Sequence, residues 1–196
     1  MTFAQQGSPF TLTHRGEVTQ GLLKFYWPVA IEPDRDPQKV RTLTLLASIM
    51  QLRLLEIVRE DLGASYAPSA GFSFSTVYPG LNYIYAEVEA RPADLASLRV
   101  VMREIAAELR EGAITKDELE RAKAPALDQL AQHASSNGYW LSLISQLQTR
   151  PDRSDRNTIT AIDASIRAVT LDDLQNEAQL SLMEANLREV EVLPAG

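Results

Sequence analysis

The 196 residues carry 26 Asp and Glu against 19 Lys and Arg, a net charge of −7, and no cysteine. That balance argues against a nucleic-acid partner, which needs clustered cations, and the missing thiols exclude disulfides, thiolate metal sites and cysteine nucleophiles. Apolar residues at 45% suffice for a buried core, and no apolar run reaches the ~20 residues of a membrane span.

In chain order, Met1–Pro9 reads as a linker or leader, and residues 10–196 as a single domain. MTFAQQGSPF has neither a basic nor an apolar region of signal-peptide type, which says nothing about a longer parent chain. Val18–Ile31, VTQGLLKFYWPVAI, reads as a long strand, with Pro28 placing it at a sheet edge or ending it there. EPDRDP is a turn. Gln38–Leu62 is a long helix whose apolar residues extend beyond one stripe, as on a helix covered on more than one side. Gly63 is its expected C-cap. Ser69–Val77 and Asn82–Ala90 alternate as an antiparallel pair around the turn Tyr78–Leu81.

Pro92 opens a helix to Glu111 that stops at Gly112. Thr115-Lys-Asp-Glu118 is a capping box for a helix from Lys116 to about Ala134, with Pro125 expected to kink it. Helices are expected over Tyr139–Gln148, Thr158–Ala168 and from the Thr170 cap to Met183, with a final strand Leu187–Leu193. The fold class is α+β, a largely antiparallel sheet with helices packed on one face.

Chemistry-bearing motifs are few. Of two histidines, His14 opens H-R-G-E, but Val18 stands where an H-x-x-E-H zinc motif needs its second histidine, and Gly16 argues against the helix that motif requires. His133 has no carboxylate at ligand spacing. There is no G-x-S-x-G elbow and no phosphate-cradling glycine loop. Glu60-Asp61 and Asp172-Asp173 read as solvated or capping groups at helix ends. No catalytic residue and no metal ligand is expected in this chain.

VREDLGASY, Val58–Tyr66, spans a helix end and a strand entrance. Such a turn can aim the Arg59 guanidinium, a planar fork of donors, and the Tyr66 phenol at one side of a sheet edge. The same two residues also suit a helix dipole and a strand start, so the segment alone decides nothing. Asn137, Tyr139 and Trp140 form a weaker candidate group, read mainly as packing.

In order, F-Y-W-P, the helix QKVRTLTLLASIMQLRLLEIVRE, LGASY, G-F-S-F-S, N-Y-I-Y-A-E-V-E, T-K-D-E-L-E-R-A-K, S-N-G-Y-W and V-T-L-D-D-L-Q resemble the zinc-free C-terminal domains of the pitrilysin/insulinase metallopeptidases, over about Phe10 to Leu193. The resemblance implies a LuxS/pitrilysin-like domain that closes a substrate chamber. It implies zinc and H-x-x-E-H on an N-terminal half, in the same chain or a partner subunit, and none here. Arg59 and Tyr66 become expected contacts to a peptide or unfolded polypeptide. The alternative is a pseudo-peptidase subunit or interaction module that scaffolds a heterodimer without catalysis. Periplasm and cytoplasm both fit the parent, with the periplasm slightly favoured. A domain that packs against sister domains is also expected to expose an apolar patch.

Overall fold

The computed structural model describes residues 9–62, 68–75, 77–78, 80–149 and 161–195, without the side chains of 58–62, 134, 146, 147 and 149. Five strands form one sheet in the order β1-β5-β2-β4-β3. They are β1 (Phe10–His14), β2 (Gly21–Pro28), β3 (Ser69–Ser73), β4 (Tyr83–Ala90) and β5 (Arg188–Pro194). The pairs β2–β4, β2–β5 and β3–β4 are antiparallel, and β1–β5 is parallel.

β1 has no counterpart among the expected strands. Its FTLTH alternates, but all of it is exposed or half-exposed, so the alternation carries no burial contrast to mark a strand. The expected long strand is shorter, because residues 18–20 turn through the Gln20 N–H to Glu17 C=O bond and Val18 is exposed. β2 is central, not an edge, and Pro28 ends it. Proline there removes a ladder donor only where the ladder stops. β3 ends at Ser73, short of the expected Val77.

The helices are α1 (Pro37–Leu62), α2 (Leu95–Glu111), α3 (Lys116–Ala134), α4 (Asn137–Thr149), α5 (Ile162–Ala168) and α6 (Leu171–Ser181). Pro92–Asp94 forms a 3-10 turn before α2 rather than its first turn, and Gly112 ends α2 at φ +98°, a conformation glycine adopts without strain. Both threonine capping boxes form: Thr115 accepts from the Glu118 N–H and Thr170 from the Asp173 N–H, with each carboxylate returning to the threonine N–H. α3 runs on through Pro125. The expected C-cap Gly63 lies outside the described residues.

Burial follows the period-2 pattern of β2. Leu23, Phe25 and Trp27 are at most 1% exposed, while Leu22, Lys24, Tyr26 and Pro28 are half-exposed. Across the register, Ile84, Ala86 and Val88 of β4 continue the inner face. On it pack Leu43, Leu46, Ile49, Met50 and Leu54 of α1 and Leu95, Leu98, Met102, Ile105 and Leu109 of α2. Each fully buried large aliphatic or aromatic side chain contributes about 1.5–3 kcal/mol. α1 also meets α3, α5 and α6, which is why its apolar residues exceed a single stripe.

The inner face of β5 departs from the apolar rule. Glu189 and Glu191 stand opposite Phe25 and Leu23 and are neutralised from α2. Arg99 Nε donates to Glu189 at 2.5 Å, Arg99 Nη2 to Glu191 at 2.7 Å and Arg103 Nη2 to Glu189 at 2.9 Å. Matched charge-assisted bonds make the buried carboxylates tolerable.

Asn82, fully buried, ties the β4 entrance to two other segments. Its Oδ1 accepts from the Ser75 N–H at 2.9 Å, its Nδ2 donates to the Ile31 C=O at 3.1 Å, and its C=O accepts from the Val29 N–H at 2.8 Å. Asn82→Ala removes both side-chain bonds and strands their partners, so urea denaturation should show a loss of about 1–3 kcal/mol.

Candidate functional site

The expected site sits where α1 hands the chain to β3. α1 runs to Leu62, which puts Arg59 in its last turn. The Arg59 side chain and all of Tyr66 lie outside the described residues, as do the side chains of Glu60 and Asp61. The anchoring around them is described. Gln51 Nε2 donates to the Pro68 C=O at 3.1 Å, and Gln51 Oε1 accepts from the Ala70 N–H. One amide thus holds the start of β3 against α1 by both its donor and its acceptor. Gln51 was not among the expected functional residues; a polar residue one turn before Leu54 and Leu55 on a heavily apolar helix was its only signal.

The sheet face turned away from the helices continues from β3. Gly71 lies opposite Tyr85, and a Cβ there would meet the Tyr85 hydroxyl at 2.7 Å, so only glycine lets that ring lie across β3. Tyr83 packs edge-on to Tyr26 at 5.3 Å and to Tyr85 at 6.3 Å. Lys24 pairs with Glu87, its Nζ 5.1 Å from the Tyr26 ring centroid and 5.0 Å from that of Tyr85. Burial draws the Lys24 ammonium down, but the Glu87 bond and the Tyr26 and Glu87 charges hold it above the ordinary lysine value. It stays a cation at neutral pH. Toward the other edge the same face becomes apolar. Phe10 and Leu12 lie beside Val190 and Val192, with Leu22 next in register, and Phe10 is 61% exposed.

Neither histidine meets a metal-binding arrangement. His14 Nδ1 accepts from the Gly16 N–H at 2.9 Å, leaving Nε2, 2.9 Å from the Gln20 C=O, to donate. Both ring nitrogens therefore staple the turn after β1. His133 lies tilted beside Tyr139, with ring centroids 6.0 Å apart. Among the described residues no group of three His, Cys, Asp or Glu could hold a metal ion, so the side chains present do not fit zinc. Asp173 is committed to its cap; the Thr170 hydroxyl and N–H hold its carboxyl below the usual range. In α4, Tyr139 is half-buried against Trp140 at 5.4 Å edge-to-face, and Trp140 is exposed rather than packed in the core.

Among curated proteins the chain is 29% identical over 133 residues to the chloroplastic stromal processing peptidase of Pisum sativum, a match covering 67% of this chain and 10% of that protein. The chain thus spans about a tenth of the length of the curated relatives it matches. Its fold is that of the peptidase M16 inactive domain from Pseudomonas fluorescens, with a TM-score of 0.73, 16% identity, and coverage of 100% of this chain and 47% of that one. It is also similar to part of a mutant of the ferredoxin protease FusC in complex with Arabidopsis ferredoxin, with a TM-score of 0.67, 16% identity, and coverage of 96% and 20%. The family model described as the peptidase M16 inactive domain matches residues 3–125, more than half the sequence, and the chain belongs to that family.

Proposed function

We propose that this chain is the metal-free part of a zinc endopeptidase, closing a substrate chamber and holding a peptide or partly unfolded polypeptide for hydrolysis on another half. The membership in a family of inactive peptidase domains carries this reading. Zinc, its bound water and the glutamate base belong, on this proposal, to an N-terminal half in the same chain or a partner subunit. The family's neighbour in complex with ferredoxin supports a protein as the class of substrate.

Within the chain, Arg59 is assigned to the peptide backbone and Tyr66 to the carbonyl near the scissile bond. An arginine fork can hold a backbone carbonyl through ground and transition states alike, while a phenol O–H stabilises charge only as it develops on oxygen. The Gln51 clamp on Pro68 and Ala70 supports this reading, because it fixes one end of the segment carrying Tyr66. The uncovered sheet face, apolar at Phe10 and Leu12, suits the other half as partner.

The test recombines the chain with the H-x-x-E-H-bearing half of its parent. Tyr66→Phe should lower kcat by about 10²-fold with little change in KM. Arg59→Ala should chiefly raise KM. Unchanged peptide turnover in both variants would remove the assigned roles. A parent whose other half lacks H-x-x-E-H would make the assembly a scaffold that binds without cutting.

A further inference from the structure

β3 is the last strand of the described sheet, with β4 on one side of it. Three hydrogen bonds fix which of its backbone groups face the other side. The Pro68 C=O and the Ala70 N–H both point away from β4, into the Gln51 amide of α1. The Ser75 N–H points back, to Asn82 Oδ1 at the β4 entrance, at 2.9 Å. Backbone groups alternate sides along a strand. Those of Gly71 and Ser73 therefore bond to β4, while the N–H and C=O of Phe72 and the N–H of Phe74 face away from it.

Gln51 shows what this edge accepts. Its amide donates to the Pro68 C=O and accepts from the Ala70 N–H, the two bonds that one residue of a parallel neighbouring strand would make. A side chain thus fills the first rung of a sixth strand. Phe72 and Phe74 offer the next rungs, and among the described residues no strand pairs with them. Their rings stack with centroids 5.7 Å apart on the helix side of the sheet, and Phe74 is 44% exposed. Sheet edges are commonly blunted by charge or proline, yet residues 69–75, SAGFSFS, carry neither.

The opening is short. Gln51 holds the rung before it. After it the chain turns, as Ser75 Oγ accepts from the Val77 N–H at 3.2 Å and the Tyr78 N–H at 2.9 Å. That length admits a few residues of an extended peptide rather than the long edge of a second sheet. Pro68, held by the same amide, follows Tyr66 by two residues, so the opening continues the segment assigned to substrate. We propose, resting on the substrate-holding role above, that an extended stretch of the polypeptide adds to β3 as a sixth strand. It bonds to Phe72 and Phe74 where the Gln51 amide leaves off, and its apolar side chains lie on the two phenylalanine rings.

The experiment follows backbone amide hydrogen exchange of the whole chain by NMR, with and without a saturating octapeptide of alternating valine and threonine flanked by lysine. Exchange at Phe72 and Phe74 should slow about tenfold or more, while Gly71 and Ser73, already in the ladder, stay unchanged. N-methylation of every second peptide residue should abolish the slowing in one of the two possible patterns only, because a strand turns alternate N–H groups to its neighbour. Phe74→Lys, which charges the edge without touching a β3–β4 bond, should weaken the slowing at Phe72. No slowing at these amides, or equal slowing under both N-methylation patterns, overturns the proposal. Slowing that grows with chain concentration in the absence of peptide assigns the edge to a second copy and also overturns it. If the peptide slows exchange as expected but the recombined halves cut nothing, the strand site stands and the peptidase role falls.

Discussion

Arg53→Met should lower folding stability by about 3–5 kcal/mol, the largest single effect expected from a polar residue of this chain. The guanidinium sits among α1, α2 and α3, 10% exposed, and spends its donors on three partners. Nε reaches Glu118 Oε1 at 2.7 Å, Nη1 reaches Glu108 at 3.1 Å, and Nη2 reaches the Ala113 C=O at 2.7 Å and Glu118 Oε2 at 3.2 Å. Methionine fills similar space but leaves the Glu118 carboxylate, 15% exposed, without its cation. Replacing both partners should recover much of the loss, because Arg53→Met with Glu118→Leu strands no charge. Urea denaturation of the two single variants and the double decides this. A loss below ~1 kcal/mol for Arg53→Met would mean that water already shares the load.

The same pair sets an acid dependence. Burial alone would raise the Glu118 carboxyl, but the Arg53 bond and the Thr115 N–H and hydroxyl hold it below the ordinary glutamate value. A depressed folded-state pKa contributes stability that is fully present above the unfolded value, about 4.3. That contribution is lost as pH falls through the folded value. Acid denaturation should therefore begin to erode the α1–α3 contact below about pH 4.3, and Glu118→Gln should flatten this part of the profile.

Trp27→Ala should cost about 3–5 kcal/mol by a different route. The indole is 1% exposed on the central strand, edge-to-face with Phe25 at 5.8 Å, and beside Ile84 in register. Its neighbours belong to a rigid strand and to helices fixed by their own packing, so the emptied volume cannot collapse fully. Phe10→Ala is the control, because that ring is 61% exposed on β1. It should shift the isolated chain by no more than about 0.5 kcal/mol. A Phe10 variant as damaging as Trp27→Ala would mean that the uncovered sheet face is packed in solution, as by self-association.

Much of the fold was legible because its signals are local. Thr115 with Glu118 and Thr170 with Asp173 announce helix starts through bonds that span four residues. Gly112 marks a stop through its own φ, and the alternation of Ile84, Ala86 and Val88 against Tyr83, Tyr85 and Glu87 states which side chains face inward. What escaped depends on partners distant in sequence. β1 is a strand only because β5, some 180 residues later, lends it a ladder. Glu189 and Glu191 face inward only because Arg99 and Arg103 stand opposite on α2. No local period predicts a buried carboxylate.

The candidate site divides in the same way. The residue types at Arg59 and Tyr66 and their place at a helix end leading into a strand were readable from the chain, and the family follows from the order of its segments. The Gln51 clamp was not readable, since it is defined by what lies across a helix–strand gap. Composition, capping and periodicity by themselves determined an acidic, cysteine-free α+β domain. Which charges are neutralised and which side chains line each sheet face were decided only by tertiary structure. Pairing energy depends on distance and desolvation, and neither exists until the elements pack.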